Sequence, residues 1–247
     1  MILAAHQPHY LPYPGLLAKI DAADVFVIQD DLQYVKQEWQ NRNRIRTREG
    51  WRWLTIPVHA TSTSPINRVI PVERCWPARH RRLIDVHYPT ARRTRLNALW
   101  PGLEMISGAT LAEINTRCVL ALMDLFGIRT PVVHQSALHL PAFQPKSANE
   151  RLITLCRELG CDTYLSGSSG VGYLDIDRWN RAGLTVLCLT WAQTRYEQCF
   201  AGWVENLSSI DLLMCVDEPL RALRQDRSIR CLTRSDYSSY ETSSACP

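Results

Sequence analysis

An α/β fold with a Rossmann-like, open and mostly parallel sheet follows from three observations. Residues 1–5 and Val25–Ile28 are apolar runs around a helix-like segment, Gly15–Ile20, so the chain opens with a βαβ unit. In the last third, short apolar runs at Pro131–His134, Thr163–Leu165 and Leu184–Leu189 alternate with helical stretches. Between these halves, residues from Pro77 to Phe126 are helical in pattern, as an insertion into the α/β frame would be.

Pro8, Pro12 and Pro14 forbid regular structure between the first strand and the first helix. Leu16, Leu17 and Ile20 give that helix its apolar stripe. Trp51–Val58 alternates along both faces of a strand, and Pro65–Val72 beyond a Ser/Thr turn is its expected hairpin partner. Helices are expected near 77–87, 90–100 and 110–126, the last with Leu111, Ile114, Cys118, Leu122 and Leu125 at helical spacing and Gly127 as its stop. A helix opens at Ser147 and ends at Gly160, another lies near 175–182, and Ser208 with Asp211 occupies capping-box positions before a third. Beyond about Arg224 the chain is polar and Ser-rich, with the composition of a disordered tail. The expected organisation is one α/β domain over 1–224, with the helical insertion at about 77–126, and a tail over 225–247.

With 247 residues the chain can bury a substantial core, and its 46% hydrophobic and 21% charged residues are ordinary for a globular protein. No apolar run approaches the roughly 18 residues of a membrane span, and no charged region precedes the short apolar start. A cytoplasmic protein is therefore expected. The nine cysteines form no CxxC pair and no His/Cys ligand run, so they are expected as reduced, small apolar groups, with no metal site and no cofactor. A net charge of +4 without a long basic run makes nucleic acid an unfavoured partner. Of the 28 basic residues only Lys19, Lys36 and Lys146 are lysines. Where arginine is so favoured, a lysine marks a position suited to a compact ammonium.

In an open parallel sheet, ligands bind beyond the carboxyl ends of the strands. Three loops are expected to meet there: His6-Gln7-Pro8, then Asp30-Asp31-Leu32-Gln33 with Lys36, and Ser166-Gly167-Ser168-Ser169-Gly170. His6 is a candidate general base and Asp30 a candidate orienting carboxylate. A histidine satisfied by loop backbone and an Asp pair stabilising a turn are the structural alternatives. Lys36, Asn41, Arg42 and Asn43 supply donors suited to phosphate or carboxylate oxygens, or else line an exposed polar loop. The glycine-rich turn lacks the spacing of a P-loop or a dinucleotide fingerprint, and no Gly-x-Ser-x-Gly elbow surrounds Ser166.

These residues carry a resemblance. His6-Gln7-Pro8-x-Tyr10-Leu11-Pro12-x-x-Gly15, Lys19-Ile20, Ala23-Asp24-x-Phe26-Val27, Gln33-Tyr34-x-Lys36, Trp39, Asn41-Arg42-Asn43 and Trp53-Leu54-Thr55 resemble the WbqC-like family. So do His80, Tyr88, Tyr164-Leu165-Ser166-Gly167, Tyr173-Leu174, Tyr196-x-Gln198 and Leu207-Ser208-x-x-Asp211-Leu212-Leu213, over about residues 2–215. The chain departs at Met214-Cys215-Val216-Asp217, where the family has an apolar-aromatic position and a glycine. The resemblance implies a biosynthetic, transferase-like enzyme from pathways for surface polysaccharides or other specialised metabolites. It would attach an acyl or aminoacyl group to a small-molecule amine, with an acyl or peptidyl carrier protein among the candidate donors. The same opening is also similar to nucleotidylyltransferase-like enzymes, although their His-x-Gly-His pair is absent.

The expected function is thus group transfer forming an amide from a carrier- or nucleotide-bound donor. His6, Asp30 and Lys36 are the catalytic candidates. Gln7, Tyr10, Lys19, Gln33, Trp39, Asn41, Arg42, Asn43, His80, Ser166, Gly167 and Tyr173 are the substrate-binding candidates. The alternatives are a nucleotide-dependent ligase and a non-catalytic module that binds a carrier protein or glycan intermediate.

Overall fold

The computed structural model describes residues 1–61, 63–104, 108–138, 147–233 and 236. Strand β1 (Ile2–His6), helix α1 (Pro14–Asp21) and strand β2 (Val25–Ile28) form the expected βαβ unit, with Leu3 opposite Val25 and His6 opposite Ile28 in parallel register. Pro14 at the start of α1 costs no hydrogen bond, because the first-turn N–H groups have no helical acceptor. Next come the hairpin of β3 (Arg42–Thr47) with β4 (Gly50–Thr55) and the short pair β5 (Val58–His59) and β6 (Ile70–Pro71). The helical segment follows as α2 (Trp76–His87), α3 (Thr90–Arg93), α4 (Leu99–Glu104) and α5 (Leu111–Phe126). Strand β7 (Val132–His134), α6 (Ala148–Glu158), β8 (Thr163–Gly167), α7 (Ile176–Arg181) and β9 (Thr185–Trp191) resume the α/β alternation. The described chain closes with α8 (Ser209–Cys215), α9 (Pro219–Gln225) and β10 (Arg227–Cys231).

The main sheet has the order β10-β9-β8-β1-β2-β7, parallel except for β10 on β9. Both faces are covered, as a parallel sheet requires. Ala4, Phe26, Ile28, Leu165 and Leu189 point into one core with α1, α5 and α8. Leu3, Ala5, Val27, Tyr164, Val186 and Cys188 alternate into the other, with α6 and α7. The sheet grows from β1 toward β2 and β7, then from β1 toward β8 and β9, so the strand order reverses between β1 and β8. That is the switch point at which a crevice opens beyond the strand ends.

Several local expectations hold for visible reasons. Thr110 and Glu113 make a reciprocal capping box on α5, and Gly127 ends it at φ 78° in the left-handed region. Ser147 caps α6 by accepting from the Glu150 N–H. Other expectations are corrected. The partner of β4 is β3 and not the segment at 65–72, because the alternation of Arg42, Arg44 and Arg46 is itself a strand. The helix expected over 90–100 is broken into α3, a 3-10 turn at 94–96 and α4. Asp211 does not complete a capping box. It is buried and accepts from the Tyr88 and Tyr196 hydroxyls and from Gln198 Nε2, at 2.9, 2.8 and 3.1 Å. The Arg92 and Arg95 guanidiniums reach the backbone carbonyls of Leu213, Met214 and Val216, where α8 leaves its last carbonyls without helical donors.

Arg227–Cys231, expected to fall in the tail from residue 225, instead extends the sheet as β10. Residues 234–235 and 237–247 lie outside the described residues, as does Lys146. No helix among the described residues is long and apolar enough to cross a membrane.

Asp21, at the end of α1, binds Arg224 at 3.0 and 2.9 Å and Arg227 at 2.5 Å, tying α9 and β10 to the opening βαβ unit. Burial alone would raise its pKa, but the two arginines outweigh burial and lower it. Asp21→Asn is expected to cost ~2 kcal/mol near neutral pH, on the scale of hydrogen bonds to charged groups. A lowered folded-state pKa stabilises above the unfolded value of about 3.9 and loses that contribution as pH falls through the folded value. The difference in stability between the wild type and Asp21→Asn therefore shrinks in acid, as chemical denaturation across pH will measure.

Candidate functional site

The segment between β1 and α1 has neither helical nor sheet partners for its carbonyls, so side chains from three other segments supply donors. Asn115 Nδ2 donates to Pro8 O at 2.8 Å and to Gln40 O at 2.6 Å. Asn43 Nδ2 donates to Tyr10 O at 3.2 Å and to Leu11 O at 2.7 Å, and Ser208 Oγ donates to Leu11 O at 2.8 Å. Leu11 sits at φ 41°, a conformation that a branched residue adopts only when its surroundings enforce it. Gln7 is held at both ends, donating to Gln33 O at 3.1 Å and accepting from Gln40 Nε2 at 2.7 Å.

This clamped loop presents His6 at the carboxyl end of β1. Its Nδ1 lies 2.8 Å from Gln7 O. A carbonyl only accepts, so Nδ1 carries the proton and the neutral ring has its lone pair on Nε2. Burial and then the Lys19 charge lower the His6 pKa to about 4, so the imidazole is neutral at pH 7. His9 packs edge-on against it with ring centroids 4.5 Å apart, and burial with its neighbour His6 holds it well below the ordinary value.

His6, Gln7, Tyr13 and Ser169 divide a crevice at the switch point into two lobes. The inner lobe, about 310 Å³, lies between the ends of β1 and β8, with Lys19 of α1, Arg151 of α6, Tyr164, Ser166 and Tyr173 among its lining. The outer lobe, about 630 Å³, is bounded by His9, Glu38, Trp39, Arg44 and Asn206. Both volumes are in the range of small-molecule sites. Lys19 is 6% exposed, donates to Ala5 O at 2.9 Å, and has its pKa lowered by burial to about 8. Gly170 lets the turn after β8 close over Ser166, since a Cβ there would lie 2.3 Å from Ser166 Oγ. Among the described residues no three of His, Cys, Asp and Glu gather as metal ligands.

Six of the expected site residues therefore meet in one crevice: His6, Gln7, Lys19, Ser166, Gly167 and Tyr173. Trp39 joins at the outer lobe. The others lie elsewhere. Asp30 does not orient His6, because it accepts from His134 Nδ1 at 2.9 Å and from Ser136 Oγ and N at 2.7 and 3.0 Å. Lys36 is exposed and lines neither lobe. Tyr10 and His80 are a buried pair, with the Tyr10 hydroxyl 2.8 Å from His80 Nδ1 and His80 Nε2 3.1 Å from Thr55 O. Asn43 is consumed in the loop clamp, and Asn41 Nδ2 donates to Ile56 O at 2.9 Å. Arg42 donates to Gln37 O and lies over the Trp53 ring at 4.4 Å. Gln33 touches the site through its backbone carbonyl and bridges Pro65.

Tyr13, Gln29 and Arg151 line the crevice without having been expected there, and Ser169 joins them from the expected turn after β8. Arg151 had a legible signal: it lies in the first turn of the helix leading into β8, and such helices begin at the carboxyl edge of the sheet. Tyr13 had none, because its ring reaches the crevice only by folding over Gly15, where a Cβ would lie 2.3 Å from the ring.

The model of the WbqC-like protein family matches residues 7–221. The uncharacterized protein Rv1507c of Mycobacterium tuberculosis (strain ATCC 25618 / H37Rv) is 29% identical over 219 residues, covering 87% of this chain and 93% of that protein. No solved structure matches.

Imidazole NMR will test the electrostatics of the crevice. His6 is expected to stay in the Nδ1–H form at neutral pH and to protonate only near pH 4. Lys19→Met removes the repelling charge and raises that value, while burial keeps it below the ordinary 6.5. A His6 resonance that titrates near 6.5 in the wild type would contradict this account.

Proposed function

The chain belongs to the WbqC-like protein family, and from the chemistry of its crevice we propose a cytoplasmic biosynthetic enzyme that transfers an acyl or aminoacyl group to a small-molecule amine. The observation that carries the proposal is His6: a neutral imidazole, fixed through Nδ1 to Gln7 O, whose other nitrogen belongs to a ring lining both lobes. As the amine nitrogen bonds to the donor's carbonyl carbon, His6 Nε2 takes the amine proton. The imidazolium then gives that proton to the leaving thiol or phosphate as its bond to carbon breaks. An imidazolium with so low a pKa is a strong acid, so the second transfer is downhill. The orienting partner is the Gln7 carbonyl, in place of the carboxylate expected from sequence. The outer lobe admits the donor, including the extended arm of a carrier protein, past Trp39 and Arg44. The products belong to a pathway for a surface polysaccharide or another specialised metabolite.

The contact of His6 with His9 favours one further reading, a nucleotide-dependent ligase on the same scaffold. The Lys19 and Arg151 cations near that pair suit the oxygens of a nucleotide's phosphates. Pyrophosphate release from ATP with candidate acids is its signature, and amide formation from a preloaded donor without nucleotide is the signature of transfer.

Reconstituted reactions with loaded carrier proteins or adenylates and candidate amines, followed by mass spectrometry, are expected to yield the amide. His6→Ala should slow turnover by about 10²–10⁴-fold, the usual contribution of a positioned base. Turnover reduced by less than about tenfold in a folded His6→Ala protein would remove His6 from this role.

A further inference from the structure

We propose that the inner lobe binds the phosphate group of a phosphate monoester, held as a dianion between the Lys19 ammonium and the Arg151 guanidinium. This inference rests on the reading of the crevice as the substrate site, and it names the ligand's chemistry.

Buried cations in this protein otherwise have partners that explain them. Arg46 is surrounded by the carbonyls of Thr47, Gly50, Phe200 and Ala201. Arg227 holds Asp21. Lys19 is different: its ammonium has the single carbonyl of Ala5 and, at 5.8 Å, the face of Tyr164. Arg151 Nε is buried without a partner, as are those of Arg42, Arg44 and Arg46. Those three donate to carbonyls through their terminal nitrogens, whereas the Arg151 side chain has no hydrogen-bond partner among the described residues. Among the described residues neither cation is in an ion pair, and none of the residues lining the inner lobe is acidic. Asp31 is the carboxylate that acts on Arg151 from farther away, and it accepts from Gln135 Nε2. Leaving two positive charges at a half-enclosed cavity is costly unless an anion joins them.

The geometry favours phosphate over carboxylate. Lys19 comes from α1 and Arg151 from α6, helices that pack into different cores on the two faces of the sheet. They reach the lobe from separate directions, so a dianion with three terminal oxygens can meet both, while a carboxylate brings one charge and two oxygens. Tyr13, Ser169 and Tyr173 line the same lobe, and hydroxyls of such side chains can donate to remaining oxygens. The neutral His6 adds no competing charge. Its position between the lobes puts the phosphate on the inner side and the reacting group toward the outer one.

Titration calorimetry and thermal unfolding of the full chain with inorganic phosphate test the proposal, with acetate at matched ionic strength as the comparison. Phosphate is expected to bind and to raise Tm, and acetate to do neither. Lys19→Met and Arg151→Gln should each weaken phosphate binding by about tenfold or more, the scale of one charge-assisted hydrogen bond. Circular dichroism and the ligand-free Tm will establish that each variant is folded, and Arg151→Gln, at a half-buried position, keeps the test open if Lys19→Met does not fold. His6→Ala should retain phosphate binding. An absent phosphate effect in the wild type, equal effects of acetate and phosphate, or unchanged binding in Arg151→Gln would each overturn the phosphate site. None of these results bears on whether His6→Ala loses turnover, so the ligand class and the group-transfer reading fail separately.

Discussion

The rest of the structure depends on how the segment between β1 and α1 satisfies its backbone. A strand that runs directly into three prolines can neither continue the sheet nor start a helix early, so its carbonyls need donors from elsewhere. Asn115 from α5, Asn43 from β3 and Ser208 before α8 provide them. Each comes from a different part of the chain, so the loop is also where the hairpin, the helical segment and the C-terminal helices meet the parallel sheet. The rigidity bought at Leu11 and Gln7 fixes the tautomer of His6, because the Gln7 carbonyl that accepts from its Nδ1–H is held in place.

Two sets of buried polar groups contrast in this arrangement. In the first, every group has a partner: Tyr10 with His80, Asp211 with Tyr88, Tyr196 and Gln198, Asp30 with His134 and Ser136. These fasten elements that no sheet ladder joins. In the second, around the inner lobe, cations and hydroxyl-bearing side chains gather with no carboxylate among the described lining residues. A fold tolerates such an arrangement where a ligand completes it, which separates the crevice from the other polar clusters more sharply than residue type does.

The opening βαβ unit and the alternation of the last third were legible in the chain because both patterns are local: apolar runs of strand length, punctuated by proline, glycine and helix caps. The crevice was legible in part for the same reason. His6 and Ser166-Gly167 end apolar strands, and in a parallel sheet strand ends share one edge. Lys19 stood out through the scarcity of lysine. Lys36 stood out in the same way and proved exposed, since scarcity says nothing about which side of a loop faces inward. Asp30 also ends a strand, but β2 lies on the far side of β1 from the switch point, and β7 brings His134 to it first.

What the sequence determined by itself was the periodicity of its elements, the parallel sense of its first two strands and the edge on which the crevice opens. The partnership of individual side chains was decided only by the tertiary structure. Asn41, Asn43, Tyr10 and His80 have the same chemistry as binding residues, and whether such a group meets a ligand or a carbonyl depends on what packs opposite. The strand order is of this kind too. No local pattern places β8 beside β1, yet that neighbour sets the lobe that Lys19 and Arg151 both line and gives the loop after β1 a cavity to border.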